Sequence, residues 1–196
     1  MFANRYTALV DASSLAGALR RNLLLTLAEA EFFRIRWSRG IMDETQAAIE
    51  KILRDKGGLD AAHCASRACR YMENAFEDAM VTEFEKQLGA GDALPDKKDA
   101  HVLAAAVKTR ADVIVTENLK HFPNDILEPF GIEARSADAF VADTISLDFG
   151  RALPVIRRMR VALNNPAISA DGLLLKMQAQ GIVETVDVLR THVQSL

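Results

Sequence analysis

The chain has 196 residues, 49% of them hydrophobic, enough for one domain with an appendage or two small ones around a proper core. No stretch approaches about 18 uncharged apolar residues, and the opening 'MFANRYTALVDASS' lacks the long apolar centre of a secretory signal, so the protein reads as cytoplasmic. A formal net charge of −3 does not announce a nucleic-acid binder, although local patches rather than totals attract phosphate.

In chain order, 'YTALVD' is a short apolar strand running into Asp11, and 'SSLAGALRRNLLLTLAEAE' has helical periodicity with Ser13 or Ser14 as its cap. 'FRIRWS' alternates like a half-buried strand, with Trp37 read as core. 'DETQAAIEKILRDKGG' then opens on acids and closes on two glycines, as an amphipathic helix does. 'AAHCASRACRYMENAF' is another helix; its Cys64 and Cys69 read as buried thiols, since no cysteine or histidine cluster with ligand spacing accompanies them. 'AMVTEFE' is a weaker strand, and 'PDKKDAHVLAAAVKTR' is a helix opened by Pro95 and Asp96. 'ADVIVTEN' and 'IEARSA' follow as strands. This alternation predicts a parallel sheet covered by helices on both faces. From about Thr144 strands cease: 'LDFGRALPVIRRMRVAL', 'SADGLLLKMQAQ' and 'VETVDVLRTHVQ' are helical stretches split by 'NNP' and Gly181. The expected division is therefore an α/β body over 1–143 and a helical extension over 144–196. The extension carries six Lys or Arg against four Asp or Glu, a basic appendage on an acidic body.

Four polar points fall where a strand ends or a helix begins. Asp11 ends the first strand, where it either caps the next helix or serves a site. Asp96 and Asp99 are three apart and share one face of a first turn, at the positive end of the helix; they form either a capping box or a pair of hard ligands for a divalent cation. Asp43 and Glu44 are placed in the first turn of their helix, where they either complement its dipole or face the same site. Glu117 or Asn118 ends the strand expected to lie beside the first. His101 is two residues from Asp99 and on another helix face, so packing or a surface hydrogen bond is its expected part. His121, in the loop before Phe122, is a candidate substrate contact.

The order of 'LVDASS', 'MDE', 'DAHVLAAAV' and 'VTEN' resembles the PIN-domain nucleases, in particular the VapC-like toxins, and 'LPDKKDAHVLAAAVKTRADVIVTENLKHFP' is similar to a longer subgroup with a helical C-terminal extension. The likeness spans about residues 5 to 140. It implies a three-layer α/β/α sandwich and Mg²⁺- or Mn²⁺-dependent cleavage of RNA in the cytoplasm, with Asp11, Glu44 and Asp99 as the acids that hold metal. Asn118 falls where many relatives carry a fourth Asp and completes the expected catalytic and metal-holding set, its amide able to hold a water or a metal-bound ligand while contributing no charge. Asp96 and Asp43 are further candidate ligands, and Ser13 and Thr116 are hydrogen bonders to the ligands. Lys120, His121, Arg157, Arg158 and Arg160 are candidates for steering an RNA backbone. The resemblance also implies an antitoxin partner and a homodimer or higher assembly. An RNA-processing or single-strand nuclease outside a toxin–antitoxin pair, or a degenerate nuclease that only binds RNA or a partner, fits the same residues. A haloacid-dehalogenase-type phosphotransferase would want a second Asp where Ser13 stands, and a Rossmann domain a glycine-rich turn where 'DASSLAG' stands.

Overall fold

Strand β1 (Thr7–Val10) is four residues long and buried throughout. Successive strand residues face opposite sides of a sheet, so full burial of consecutive positions means that both faces are covered. The computed structural model describes residues 6–163 and 166–196; residues 1–5, and Asn164 and Asn165 of the 'NNP' break, lie outside the described residues. After β1 come α1 (Ala12–Leu15), α2 (Ala18–Glu29), β2 (Arg34–Ser38), α3 (Arg39–Asp55), α4 (Ala61–Ala75) and β3 (Met80–Val81). A 3₁₀ segment (Glu85–Ala93) and a 3₁₀ turn (Lys97–Asp99) lead into α5 (Ala100–Thr109) and β4 (Val113–Val115). Another 3₁₀ turn (Leu119–His121), α6 (Asn124–Leu127) and β5 (Glu133–Arg135) follow. The remainder is helical: α7 (Ala137–Leu147), α8 (Phe149–Ala162), α9 (Ala170–Ala179) and α10 (Val183–Arg190).

The five strands form one parallel sheet in the order β3-β2-β1-β4-β5. Chain order reverses direction across the sheet at β1 and β4, which are hydrogen-bonded neighbours. Their carboxyl ends therefore frame a topological switch point, where open parallel sheets place their ligands.

Two compact units make up the chain: Met1–Gly17 with Phe33–Ser136, and Ala18–Phe32 with Ala137–Leu196. The first holds the sheet, with Trp37 fully buried and met edge-on by Phe76 at 5.9 Å between ring centroids. In the second, α2 buries Leu19, Leu23, Leu24 and Leu27, the stripe that a 3.6-residue period requires, at roughly 1.5–3 kcal/mol for each leucine taken from water. There Asp138 on α7 accepts from the backbone N–H groups of Val183, Glu184 and Thr185 at 2.7–2.8 Å, satisfying the open donors at the start of α10 from a remote helix. Arg151 adds a bond to the Ala30 carbonyl at 2.7 Å and stacks 4.7 Å over the Phe32 ring.

Several predicted elements change shape. The single helix expected after Asp11 is two, α1 and α2, with Ala16 and Gly17 between them. Neither Ser13 nor Ser14 caps it: both lie inside α1, which has Asp11 at its N-cap position. α3 starts at Arg39, with the Ser38 hydroxyl accepting from Ile41 N, so Asp43 and Glu44 stand beyond the first turn and do not complement the helix start. The strand expected from 'AMVTEFE' is only two residues: Glu83 takes a left-handed φ of 57°, which breaks the extended run before the 3₁₀ segment at Glu85.

Candidate active site

Asp11 leaves β1 at the switch point, its N–H donating to the Val115 carbonyl at 2.9 Å. The residue is 5% exposed, and its carboxylate makes no capping bond to α1. Instead Oδ2 accepts from Ser13 Oγ at 2.6 Å and from Thr116 Oγ1 at 2.8 Å. A buried carboxylate needs such donors, and bonds to an ionised acceptor are among the stronger ones. The two hydroxyl oxygens lie 3.2 Å apart, but each has one proton, already given to Asp11. Both hydroxyls also accept: Ser13 Oγ from Glu117 N at 3.0 Å, Thr116 Oγ1 from Asn118 N at 3.1 Å. The same pair thus orients the acid after β1 and pins the loop after β4. Glu117, despite the strand alternation, reaches the same edge, where its Oε1 accepts from Ser14 Oγ at 3.2 Å. Asn118 takes part through its backbone; the residue is exposed.

The second acidic point is the 3₁₀ turn before α5. Asp96 caps it, Oδ1 accepting from Lys98 N at 3.0 Å. Asp99 does not complete a capping box. Its Oδ2 meets His121 Nδ1 at 2.8 Å, with the Asp99 side chain 18% exposed. Burial pushes the Asp99 carboxyl above its ordinary pKa; the hydrogen bond and charge of His121 pull it down, and the negative charges of Asp11 and Asp96 push it further up. A bound cation would offset the negative charge that reaches Asp99 from these two neighbours.

Ligand atoms of Asp96, Asp99 and His121 all lie within 4.8 Å of one another, the single such group among the described residues. Two carboxylate oxygens and an imidazole nitrogen are a donor set that suits a divalent ion. Glu44, on α3, stands apart from this group: its Oε1 lies 3.2 Å from His101 Nε2. His101, expected as packing or a surface hydrogen bonder, does both, since its other ring nitrogen is buried against Gly40. Asp43 and Lys120 are exposed. The sequence reading placed His121 beside substrate and missed its pairing with Asp99; the signal available was a histidine six residues past the end of the strand that neighbours Asp11.

Residues 7–120 match the PIN domain. The chain belongs to the PIN-domain family. After this PIN domain, residues 137–191 match the VapC50 C-terminal domain. The chain is also similar to a Mycobacterium tuberculosis (strain ATCC 25618 / H37Rv) protein named "Putative ribonuclease VapC50", 48% identical over 77 residues. That stretch covers 39% of this chain and 46% of the relative, less than half of its length. No solved structure matches the chain. Strands β1 to β4 of the parallel sheet fall within the PIN match, and helices α7 to α10 within or at the edge of the C-terminal domain match. Among the described residues, no helix is long and apolar enough to cross a membrane.

Proposed function

We propose that the chain is a metal-dependent endoribonuclease that hydrolyses RNA phosphodiester bonds, and that it is the toxin of a type II toxin–antitoxin pair. One observation carries the reading: at the carboxyl edge of the sheet of a PIN domain, ligand atoms of Asp96, Asp99 and His121 lie within 4.8 Å of one another, and the negative charge of Asp11 also reaches the Asp99 carboxyl. The printed name of the Mycobacterium tuberculosis relative supports RNA as the substrate class and the VapC toxins as the functional group.

Asp11, Asp99 and Asp96 would hold Mg²⁺ or Mn²⁺, with Glu44 as a fourth acid, one that the family resemblance assigns alongside Asp11 and Asp99. A bound ion of this kind lowers the pKa of water and neutralises charge that builds on a phosphodiester under in-line attack. The chain supplies orientation. Ser13 and Thr116 fix Oδ2 of Asp11, which leaves Oδ1 without a hydrogen bond among the described residues. Burial excludes bulk water from that carboxylate, which strengthens its pull on a cation. No side chain is required as nucleophile. The exposed Lys120 after β4 offers charge to an RNA backbone that the acids would otherwise repel. The same acids would accept a basic side chain from an antitoxin, which is how charge complementarity would silence the site.

The test is cleavage of a structured RNA by the wild type, Asp11→Asn and Asp99→Asn in Mg²⁺, Mn²⁺ or EDTA. Cleavage should need metal and fall to the EDTA background in both variants. Cleavage that persists in EDTA or in both variants would sink the mechanism. A folded, inhibitor-free wild type that binds RNA without cutting it would favour the degenerate binding module instead. Suppression of cleavage by the product of a neighbouring reading frame would separate the toxin from a housekeeping nuclease.

A further inference from the structure

The loop after β4 brings a nitrogen, not a carboxylate, against Asp99. Asn118 is exposed and uncharged, whereas His121, three residues on, has Nδ1 2.8 Å from Asp99 Oδ2. The ring is held there by its surroundings. His121 N donates to the Asn118 carbonyl at 2.8 Å, and the next residue, Phe122, is 2% exposed and anchors the end of the turn. Asp96 is held as firmly, because its Oδ1 caps the Lys97–Asp99 turn and leaves Oδ2 without a hydrogen bond among the described residues. An ion pair between His121 and Asp99 would account for two of these groups. It does not account for Asp96, whose ligand atom falls within 4.8 Å of both.

Metal–ligand bonds of about 2.1 Å put neighbouring ligand atoms about 3 Å apart and opposite ones about 4.2 Å apart. The 2.8 Å between His121 Nδ1 and Asp99 Oδ2 is that of neighbouring ligands, and the 4.8 Å limit on the whole group leaves Asp96 within a small side-chain adjustment of the same ion. A neutral imidazole with its proton on Nε2 presents the Nδ1 lone pair, and the ion would replace the hydrogen bond that now joins the two side chains. Magnesium is a hard ion that favours oxygen and keeps its waters; later first-row ions accept imidazole more readily.

We propose that His121 is a direct nitrogen ligand to the ion held by Asp96 and Asp99, and that this nitrogen makes the site prefer Mn²⁺ over Mg²⁺. The inference rests on the metal-dependent reading above, and it is specific to this chain's own loop. It also gives Asn118 no part in metal binding.

Pulsed electron paramagnetic resonance on the full chain loaded with Mn²⁺, with calorimetric titration of Mn²⁺ and Mg²⁺, tests it without relying on activity. The expected result is ¹⁴N coupling from one directly bound nitrogen. It should vanish in His121→Gln, persist in His101→Gln, and accompany a loss of about tenfold or more in Mn²⁺ affinity in His121→Gln. His121→Asp should still bind both ions, without the ¹⁴N coupling and with a Mn²⁺ over Mg²⁺ preference reduced by about tenfold; it carries the test alone if His121→Gln fails to fold by circular dichroism. Mn²⁺ bound without ¹⁴N coupling, or coupling that survives in the folded His121 variants, overturns the ligand assignment and leaves the nuclease site standing. A folded wild type that binds neither ion overturns both.

Discussion

Thr116→Val removes a hydroxyl while keeping shape, at a fully buried position whose Oγ1 donates to Asp11 and accepts from Asn118 N. The lost bond to a carboxylate is worth about 1.5–3 kcal/mol; the bond from Asn118 adds little, because that residue is exposed and water can replace the acceptor. A cost of about 2 kcal/mol lowers Tm by roughly 4–8 °C in a chain of this size. Ser13→Ala should cost somewhat less, since Ser13 is partly exposed. The double variant is the sharper experiment. Either hydroxyl alone leaves Asp11 Oδ2 with one donor, whereas removing both strands a 5% exposed carboxylate, so the combined cost should exceed the sum of the single costs by about 1–2 kcal/mol. Urea unfolding in EDTA, followed by the fluorescence of Trp37, reports on the right part of the molecule: Trp37 is the single tryptophan and is buried in the same unit. A Thr116→Val variant within about 0.5 kcal/mol of wild type, or strictly additive costs, would refute the shared-acceptor reasoning.

Asp99 should make the metal-free protein less stable at neutral pH. Its carboxyl is pushed up in the fold, chiefly by burial, so the folded chain holds that proton more tightly than the unfolded chain does. Its favourable contribution is thus complete below the ordinary carboxylate pKa and lost as pH rises through the folded value. Metal-free Asp99→Asn should have the higher urea midpoint at about pH 7, with the advantage shrinking toward about pH 4; an advantage that grows on acidification would contradict this sign. Gly91→Ala should cost about 1–3 kcal/mol or more, because a Cβ there would stand 2.4 Å from Ala100 Cβ and 2.5 Å from its Cα, and backbone cannot swing aside. Ala100 follows Asp99 directly, so metal affinity should drop along with Tm; a variant matching wild type in both would show that the segment shifts freely.

Much of the PIN domain was legible because its signals are local. The apolar runs into Asp11 and Thr116 announce buried parallel strands, and acids at strand ends and helix starts announce a site. What escaped depends on groups distant in sequence. Nothing in 'PDKKDAH' says that Asp99 faces a histidine 22 residues on, nor that Glu44 faces His101 across 57. The acidic start read for the third helix failed for a local reason: Ser38 and the buried Ile41 and Met42 belong to the helix too, so the cap lies upstream of the acids. Helix α7 was not anticipated, since its apolar residues follow a strand without a break. The stripe on α2 was readable as helical, but a stripe does not name the surface that covers it.

That covering surface sets an order of events during synthesis. Helix α2 leaves the ribosome early, yet the segment it folds with, Ala137–Leu196, is made only after the whole of Phe33–Ser136. At about 5–20 residues per second, the roughly one hundred intervening residues keep Leu19, Leu23, Leu24 and Leu27 waiting for about 5–20 s. For that interval the nascent chain presents four uncovered leucines to chaperones, while the segment that carries Asp11, Glu44, Asp99 and His121 is already translated. Completion of the second unit therefore waits on synthesis of Ala137–Leu196, and a stop codon directly after Ser136 would make that exposure permanent.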